Sequence, residues 1–300
     1  MRLLFCASPL RSTDVDPDYA GEWNAVVDAG FDRSLIDFEA LLAGDPASAI
    51  RRVVAADPPT PAVYRGWMLP LDRYRALYTA LDERGVNLKT SPDAYRLCHH
   101  LPAWYPTLEG LTPRSVWLTI DEGLGIDNIM GRLSTFGNAP VIVKDFVKSR
   151  KHEWNDACFI RSASDRTEVG RVVGNFIRGQ GADLAEGLVF REYVDLHRLA
   201  VDPRTRAPVN EEYRLFYVDG KRLLAAQHFD PSAYTAGAPF DPAAFDEAAA
   251  RIPSPFFAMD VARTVDGGWI VIELGDGQVA GLPDSVDPVE FYRLMSKSAQ

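Results

Sequence analysis

Residues 269–274 read WIVIEL, apolar and β-branched enough for a central strand, yet the fifth of them is Glu273. An unpaired carboxylate in a doubly buried strand costs several kcal/mol to desolvate. So Glu273 needs a fixed cationic partner, or its strand ends at a metal or ligand site; Gly-Asp-Gly follows at once as a tight turn. Four other apolar stretches are interrupted in the same way. Lys144 closes PVIVK, Glu192 sits in LVFREYV, Arg214 follows Tyr213 behind Glu211 and Glu212, and Asp260 sits in FFAMDVA. Asp260 and Glu273 are equidistant from the Asp266-Gly267 turn, so a hairpin sets them opposite each other. Like charges across a strand pair destabilise it unless a cation lies between them. A sparse set of hard oxygen ligands, completed by water and phosphate oxygens, is what Mg²⁺ accepts. The competing reading pairs each acid with a nearby base such as Arg263 or Lys221.

Along the chain, strand and helix signals fall into three stretches. Residues 1–110 alternate strands (2–8, 34–39, 62–69) with helical patterns (22–31, 71–85, 91–101), as a small α/β domain does. Residues 111–185 hold strand 115–120, the PVIVK strand and a helix at 163–181 capped by Ser164 or Asp165. Residues 186–300 are strand-rich. There 187–194, 213–229, 256–263 and 268–274 read as one antiparallel sheet, turning at Asp219-Gly220 and Asp266-Gly267, with helices at 241–252 and 287–297. The fold class is therefore mixed, α/β followed by α+β.

Composition narrows the function. With 42 acidic against 32 basic residues, a net charge of −10 disfavours broad capture of nucleic-acid backbone. The apolar runs are strand-sized, too short for a membrane span. Cys6, Cys98 and Cys158 are odd in number and widely spaced, so no disulfide framework is expected and a cytoplasmic location is. MRLLFCASPL reads as a first strand rather than a signal peptide. Cys98-His99-His100 lacks a second pair at metal-ligand spacing. Arg65, ending a strand in YRGWML, is a candidate for binding a substrate carboxylate.

Taken in order, the five charged strands resemble those of the ATP-grasp family over about residues 90–283, and the first 90 are similar to the α/β domain that precedes that fold. The resemblance implies an ATP-grasp fold: a pre-grasp α/β domain, then two α+β subdomains that clamp Mg²⁺-ATP. It implies an ADP-forming ligase that phosphorylates a carboxylate and lets an amine of a small molecule or peptide attack the acylphosphate. Residue by residue, it gives phosphate contact to Lys144, adenine recognition to Glu192 with the backbone of Tyr193 and Val194, and ribose contact to Glu212. It gives the terminal phosphate to Arg214 and Mg²⁺ to Asp260 and Glu273.

The departures from the family pattern are specific. Where the family closes its metal motif with Glu-x-Asn, this chain has Gly275, with Asp276 one residue later as a substitute ligand. Its glycine-rich loop is replaced by DFVKSRKHEW (145–154), a cationic segment in which Lys148 and Ser149, with Arg150 and Lys151, reach phosphate through side chains. The lysine expected about forty residues before Lys144 is missing, and Arg96 or His99 stands in that region. Two other functions stay in view: RNA ligation or end modification by the cationic loop, and nucleotide sensing without turnover. The acid, the amine and the oligomeric state are not specified.

Overall fold

A computed structural model describes residues 1–201, 208–228 and 240–298. The chain forms two compact units, each assembled from separated stretches: Met1–Cys98 with Leu199–Val261 and Glu273–Gln300, and His99–Arg198 with Ala262–Ile272. Compactness thus groups the chain differently from a linear division at 110 and 185.

The first unit opens with β1 (Arg2–Cys6), α1 (Ala20–Asp28), β2 (Asp32–Ile36), α2 (Phe38–Leu42), α3 (Pro46–Ala49), β3 (Thr60–Arg65), α4 (Leu71–Asp82), β4 (Val86–Leu88) and α5 (Pro92–His99). Its strands make a parallel sheet in the order β2-β1-β3-β4. A parallel sheet is covered on both faces, which explains the unbroken apolar run of β1. Leu4 and Cys6 enter a core with Ile36, Tyr64 and Leu77, while Leu3 and Phe5 enter another with Val26, Val63 and Phe291. β2 stops at Ile36, short of the residue 39 expected from sequence, because Asp37 caps α2 by accepting the Ala40 N–H at 3.1 Å. β3 stops at Arg65, and the next position is held by Gly66, where any side chain would collide with Cys6 Sγ and the Tyr64 hydroxyl.

The second unit holds α6 (Leu101–Leu108), β5 (Ser115–Thr119), α7 (Ile126–Leu133), β6 (Val141–Asp145), β7 (Phe159–Ile160), α8 (Arg166–Gln180) and β8 (Gly187–Glu192). Here the sequence reading needs correcting. Residues 187–192 do not join the last sheet but run antiparallel between β5 and β6 in the order β5-β8-β6-β7. The continuous burial of β8 from Gly187 to Arg191 is that of a central strand with a neighbour on each side. Asp165, of the two expected caps, accepts the N–H groups of Thr167 and Glu168 at 3.0 Å each.

The remaining elements are β9 (Arg198–Val201), β10 (Pro208–Asn210), β11 (Glu212–Val218), β12 (Lys221–Gln227), α9 (Asp246–Ala249), β13 (Phe256–Arg263), β14 (Trp269–Asp276) and α10 (Pro288–Ser298). β9 and β10 form a ribbon, and the others a sheet in the order β12-β11-β13-β14. Asp219 and Gly220 both take positive φ at the β11–β12 turn, as a tight two-residue hairpin demands. The helix expected over 241–252 is reduced to a 3₁₀ turn at Pro242–Phe245 followed by the single turn of α9. Among the described residues, no helix is long and apolar enough to cross a membrane.

Candidate functional site

In the second unit, β6 carries Lys144 to the strand end, where its Nζ donates to the Val147 carbonyl at 3.1 Å. The next residue, Asp145, is fully buried and accepts N–H groups from Val147 (2.7 Å) and Lys148, and from Gln180 Nε2 (2.6 Å). Three neutral donors satisfy this carboxylate and fold 145–148 into a fixed turn that leaves Lys148 exposed and Ser149 half-buried. Arg150 departs from the expected cationic segment. Its guanidinium grips Glu153 through two 2.7 Å bonds and the Gly179 carbonyl at 2.8 Å, so it anchors the loop to the end of α8. It lies so close over Gly179 that a Cβ there would fall 2.6 Å from the guanidinium carbon. Lys151 stays exposed. Burial pushes the Cys158 thiol up to about 11, while the positive charges of Lys151 and Lys144 pull the other way. Both lysines therefore place charge near one spot beside β6.

At the end of β8, Glu192 lies opposite Val141, and its carboxylate is 3.7 Å from Arg114 Nε. The Tyr193 N–H donates to the Pro140 carbonyl at 3.0 Å. What sequence reading missed here is aromatic. The Trp154 and Phe159 rings stack at 5.3 Å, and Tyr193 stands edge-on to both, at 5.9 and 5.0 Å. The pairing of Phe159 with Ile142 across β6 and β7 gathers residues that are 34 to 39 positions apart in the case of Tyr193, a register that no local pattern reveals. Val194 follows, half-buried, as the chain leaves β8.

In the first unit, Arg214 on β11 grips Asp260 on β13 through two 2.8 Å bonds and donates to the Gly281 carbonyl at 2.8 Å. Burial works against its charge, but the Asp260 carboxylate and then the Glu273 charge raise the guanidinium pKa above its ordinary value. Glu273 is thus close enough to be felt by Arg214. The Gly277 N–H donates to the Phe256 carbonyl at 3.1 Å and the Thr264 N–H to the Gly268 carbonyl at 2.9 Å; counted from the first bond Asp260 falls opposite Glu273, and from the second opposite Ile272, so the two acids lie on adjacent strands within one residue of facing each other. Asp260 is buried and Glu273 exposed. Glu212, two residues before Arg214 and so on the same face of β11, accepts from Asn210 Nδ2 at 3.0 Å.

Three expectations change. Asp260 has a protein cation, as the competing reading held, but it is Arg214 rather than Arg263 or Lys221. Asp276, three residues beyond Glu273, points to the opposite face of β14 and is fully buried. Its Oδ1 accepts from Gln278 N (3.0 Å) and Nε2 (3.1 Å), its Oδ2 has no partner, and burial raises its pKa to about 7. The strand alternation therefore separates it from Asp260 and Glu273. Arg65 is not available to a substrate: fully buried, it binds Glu22 at 2.9 and 2.8 Å and the carbonyls of Gly277 (2.6 Å) and Ala280 (2.9 Å).

Among the described residues, no three His, Cys, Asp or Glu side chains gather as metal ligands. Two carboxylates nonetheless fit Mg²⁺, which takes one or two and fills its octahedron with water and phosphate oxygens. Gly275 shares the face of Glu273, and a Cβ there would meet nothing within 4 Å, so that side of the strand is roomy.

The family described as ATP-grasp domain, R2K clade family 3, matches residues 132–294. No curated protein matches the sequence. Among solved structures, the chain resembles a RimK domain ATP-grasp protein from Sphaerobacter thermophilus DSM 20745 (TM-score 0.61, 16% identity, covering 99% of this chain and 98% of that one). It also resembles the D-alanine–D-alanine ligase of Bacillus anthracis (0.58, 15%, 99% and 96%). A third is the ATP-grasp ligase PsnB complexed with minimal precursor, Mg and ADP (0.56, 13%, 99% and 98%). The chain belongs to the ATP-grasp family, and its fold is the ATP-grasp fold.

Proposed function

We propose that this ATP-grasp chain is an ATP- and Mg²⁺-dependent ligase that joins a carboxylate to an amine by way of an acylphosphate. The observation that carries the reading is the group of Arg214, Asp260 and Glu273: a guanidinium paired with one acid and within the field of a second on the next strand, beside the open space at Gly275. A structural ion pair has no need of the second acid.

In this reading the roles are those that the family resemblance implies. Glu192 and the backbone of Tyr193 and Val194 take the adenine edge, beside the Trp154, Phe159 and Tyr193 rings. Lys144 and the exposed Lys148, with Ser149, bear on the phosphates. Glu212 takes the ribose, and Asp260 and Glu273 hold Mg²⁺. The bound metal supplies neutralisation of the charge on the transferring phosphoryl group. Arg214 turns one face of its guanidinium to Asp260 and steadies negative charge on the γ-phosphoryl oxygens. A carboxylate oxygen of the acid substrate bonds to the γ-phosphorus as the bond to ADP breaks. The amine then forms the C–N bond, inorganic phosphate departs, and its proton goes to solvent. Asp276 is left out of this set.

The test is incubation with Mg²⁺-ATP and pooled acids and amines, reading ADP, phosphate and AMP. ADP with phosphate supports this route, and AMP overturns it in favour of nucleotidyl transfer. A second reading, nucleotide sensing, is favoured by the full engagement of both Asp260 oxygens by Arg214. Tight ATP binding without ADP in any pool would select it.

A further inference from the structure

Between the bonds that join Phe256 to Gly277 and Thr264 to Gly268, β14 holds one residue more than β13. One strand of an antiparallel pair that carries an extra residue has a β-bulge, a device that re-aims a side chain. Exposure along β14 shows where it lies. Val271, Leu274 and Asp276 are buried, whereas Ile272, Glu273 and Gly275 are not. Strict alternation would put Glu273 on the face of Val271. An extra residue at Ile272–Glu273 restores order: the three buried residues then share one face and the other three share the opposite one. In that register Ile272 and Glu273 both stand across from Asp260.

The backbone at this point is gripped from outside the strand pair. Val271 turns both its polar groups to the outer edge of β14. Its N–H donates to the Leu111 carbonyl at 2.7 Å, and its carbonyl accepts from Thr112 Oγ1 and Arg191 Nη2 at 2.9 Å each. The next carbonyl of a regular strand points the other way, toward β13. That of Ile272 instead accepts from Arg191 Nη1 at 2.5 Å. One guanidinium thus spans two successive carbonyls, and Thr112 Oγ1 steadies it by accepting from Nη2 at 2.6 Å. The mounting is rigid, because Arg191 is buried and its backbone lies in the central strand β8, between Ser115 and Ile142. The grip ends where the chain passes from the second unit into the first, at Glu273.

We propose that Arg191 is a positioning residue for Glu273: its guanidinium fixes the bulge at Ile272–Glu273, and the bulge turns the Glu273 carboxylate to the face of Asp260. Without the fork, the Ile272 carbonyl is free to rejoin β13, which shifts the later residues of β14 by one and sends Glu273 to the buried face. Arg191 touches no reacting atom. Its importance to the reaction rests on the reading of Glu273 as a Mg²⁺ ligand; the bulge and its fastening do not.

The experiment reads the face of residue 273 directly. Cys6, Cys98 and Cys158 are buried, so Glu273→Cys and Leu274→Cys are each labelled selectively by a charged thiol reagent. Glu273→Cys should react at least about a hundredfold faster than Leu274→Cys, and adding Arg191→Met should cut that ratio about tenfold. Arg191→Lys should not restore it, since a point donor does not span two carbonyls. Thr112→Val removes a single hydroxyl and should lower the ratio about threefold, which keeps the test decisive if Arg191→Met fails to fold. A ratio unmoved in the folded variants would overturn the proposal. The link to the reaction is read by calorimetric titration of ADP with and without Mg²⁺. Arg191→Met should lose most of the Mg²⁺-dependent gain in affinity, as Glu273→Gln does, while metal-free ADP binding stays within about twofold of wild type. Equal weakening with and without Mg²⁺ marks a general packing role and also overturns the proposal. If Glu273→Gln keeps the whole gain, the metal reading of Glu273 fails, and a shifted labelling ratio still supports the fastening of the bulge.

Discussion

Two arginine–carboxylate pairs in the first unit have nearly the same geometry and, in the proposed function, opposite roles. Arg65 and Glu22 meet at 2.8 and 2.9 Å, and Arg214 and Asp260 at 2.8 Å twice. Both arginines also hold backbone carbonyls in the segment 277–281. The difference is in the surroundings. The Arg65 and Glu22 side chains are 0% and 9% exposed, and the Tyr292 hydroxyl completes the set by donating to Glu22. Burial works against the Arg65 charge, and Glu22 more than offsets it. Arg214 and Asp260 are 18% and 11% exposed, with a second acid, Glu273, acting on the guanidinium. Bidentate geometry alone does not separate a strut from the working site proposed at Arg214; surplus charge and access to solvent are what differ.

The largest effect expected is on the strut. Arg65→Ala should lose about 3–5 kcal/mol of stability in urea unfolding, because Glu22 is left charged and unpaired in the core. In Arg65→Met with Glu22→Leu much of that loss should be recovered; if it is not, the pair has a role beyond packing. Arg214→Met should instead lower turnover about 10²–10³-fold in an ADP-release assay, with a smaller stability loss. Turnover unchanged in that variant would make the two pairs alike and remove the distinction.

A third carboxylate sharpens the contrast, since Asp276 is buried with no cation in contact. Burial holds its folded pKa near 7, above the ordinary 3.8, with Tyr74, Tyr95 and Cys98 around it. Between those values the folded chain keeps a proton that the unfolded chain has lost. Its contribution to stability is therefore complete below about pH 4 and falls by up to about 1.4 kcal/mol per pH unit up to about pH 7. Asp276→Asn should flatten that slope in denaturation curves from pH 4 to 8. The smallest effect is at Gly275. An asparagine there meets open space and adds a ligand oxygen beside Glu273. It should tighten Mg²⁺ a few-fold in metal titrations at fixed nucleotide, on the order of 1 kcal/mol or less.

The charges on strands were legible because they violate packing: a carboxylate inside WIVIEL needs a reason that composition cannot supply. The nearness of Asp260 and Glu273 was legible, to within one residue, because both count to the same hairpin loop, which runs from Thr264 to Gly268. Three things were not. The face of Asp276 follows from the alternation past Glu273, but Gly-Asp-Gly suggested a turn where β14 in fact continues to residue 276. The partners of Arg65 and Arg150 come from segments remote in sequence or from backbone carbonyls, which leave no mark on composition. The place of β8 between β5 and β6 depends on long-range pairing, and its apolar run fits either sheet.

Gln278 carries one further consequence. Its carbonyl oxygen accepts the Tyr64 N–H at 3.0 Å while its amide nitrogen donates to Tyr74 (2.8 Å) and Asp276 (3.1 Å), so neither end can be exchanged for the other. Loss of that amide nitrogen, by chemical ageing or by a single base change from a glutamine to a glutamate codon, would turn a donor into a second acid facing Asp276. In a long-lived molecule this one side chain would act as a clock for damage, and in a lineage it is a position where the genetic code places a harmful neighbour one step away.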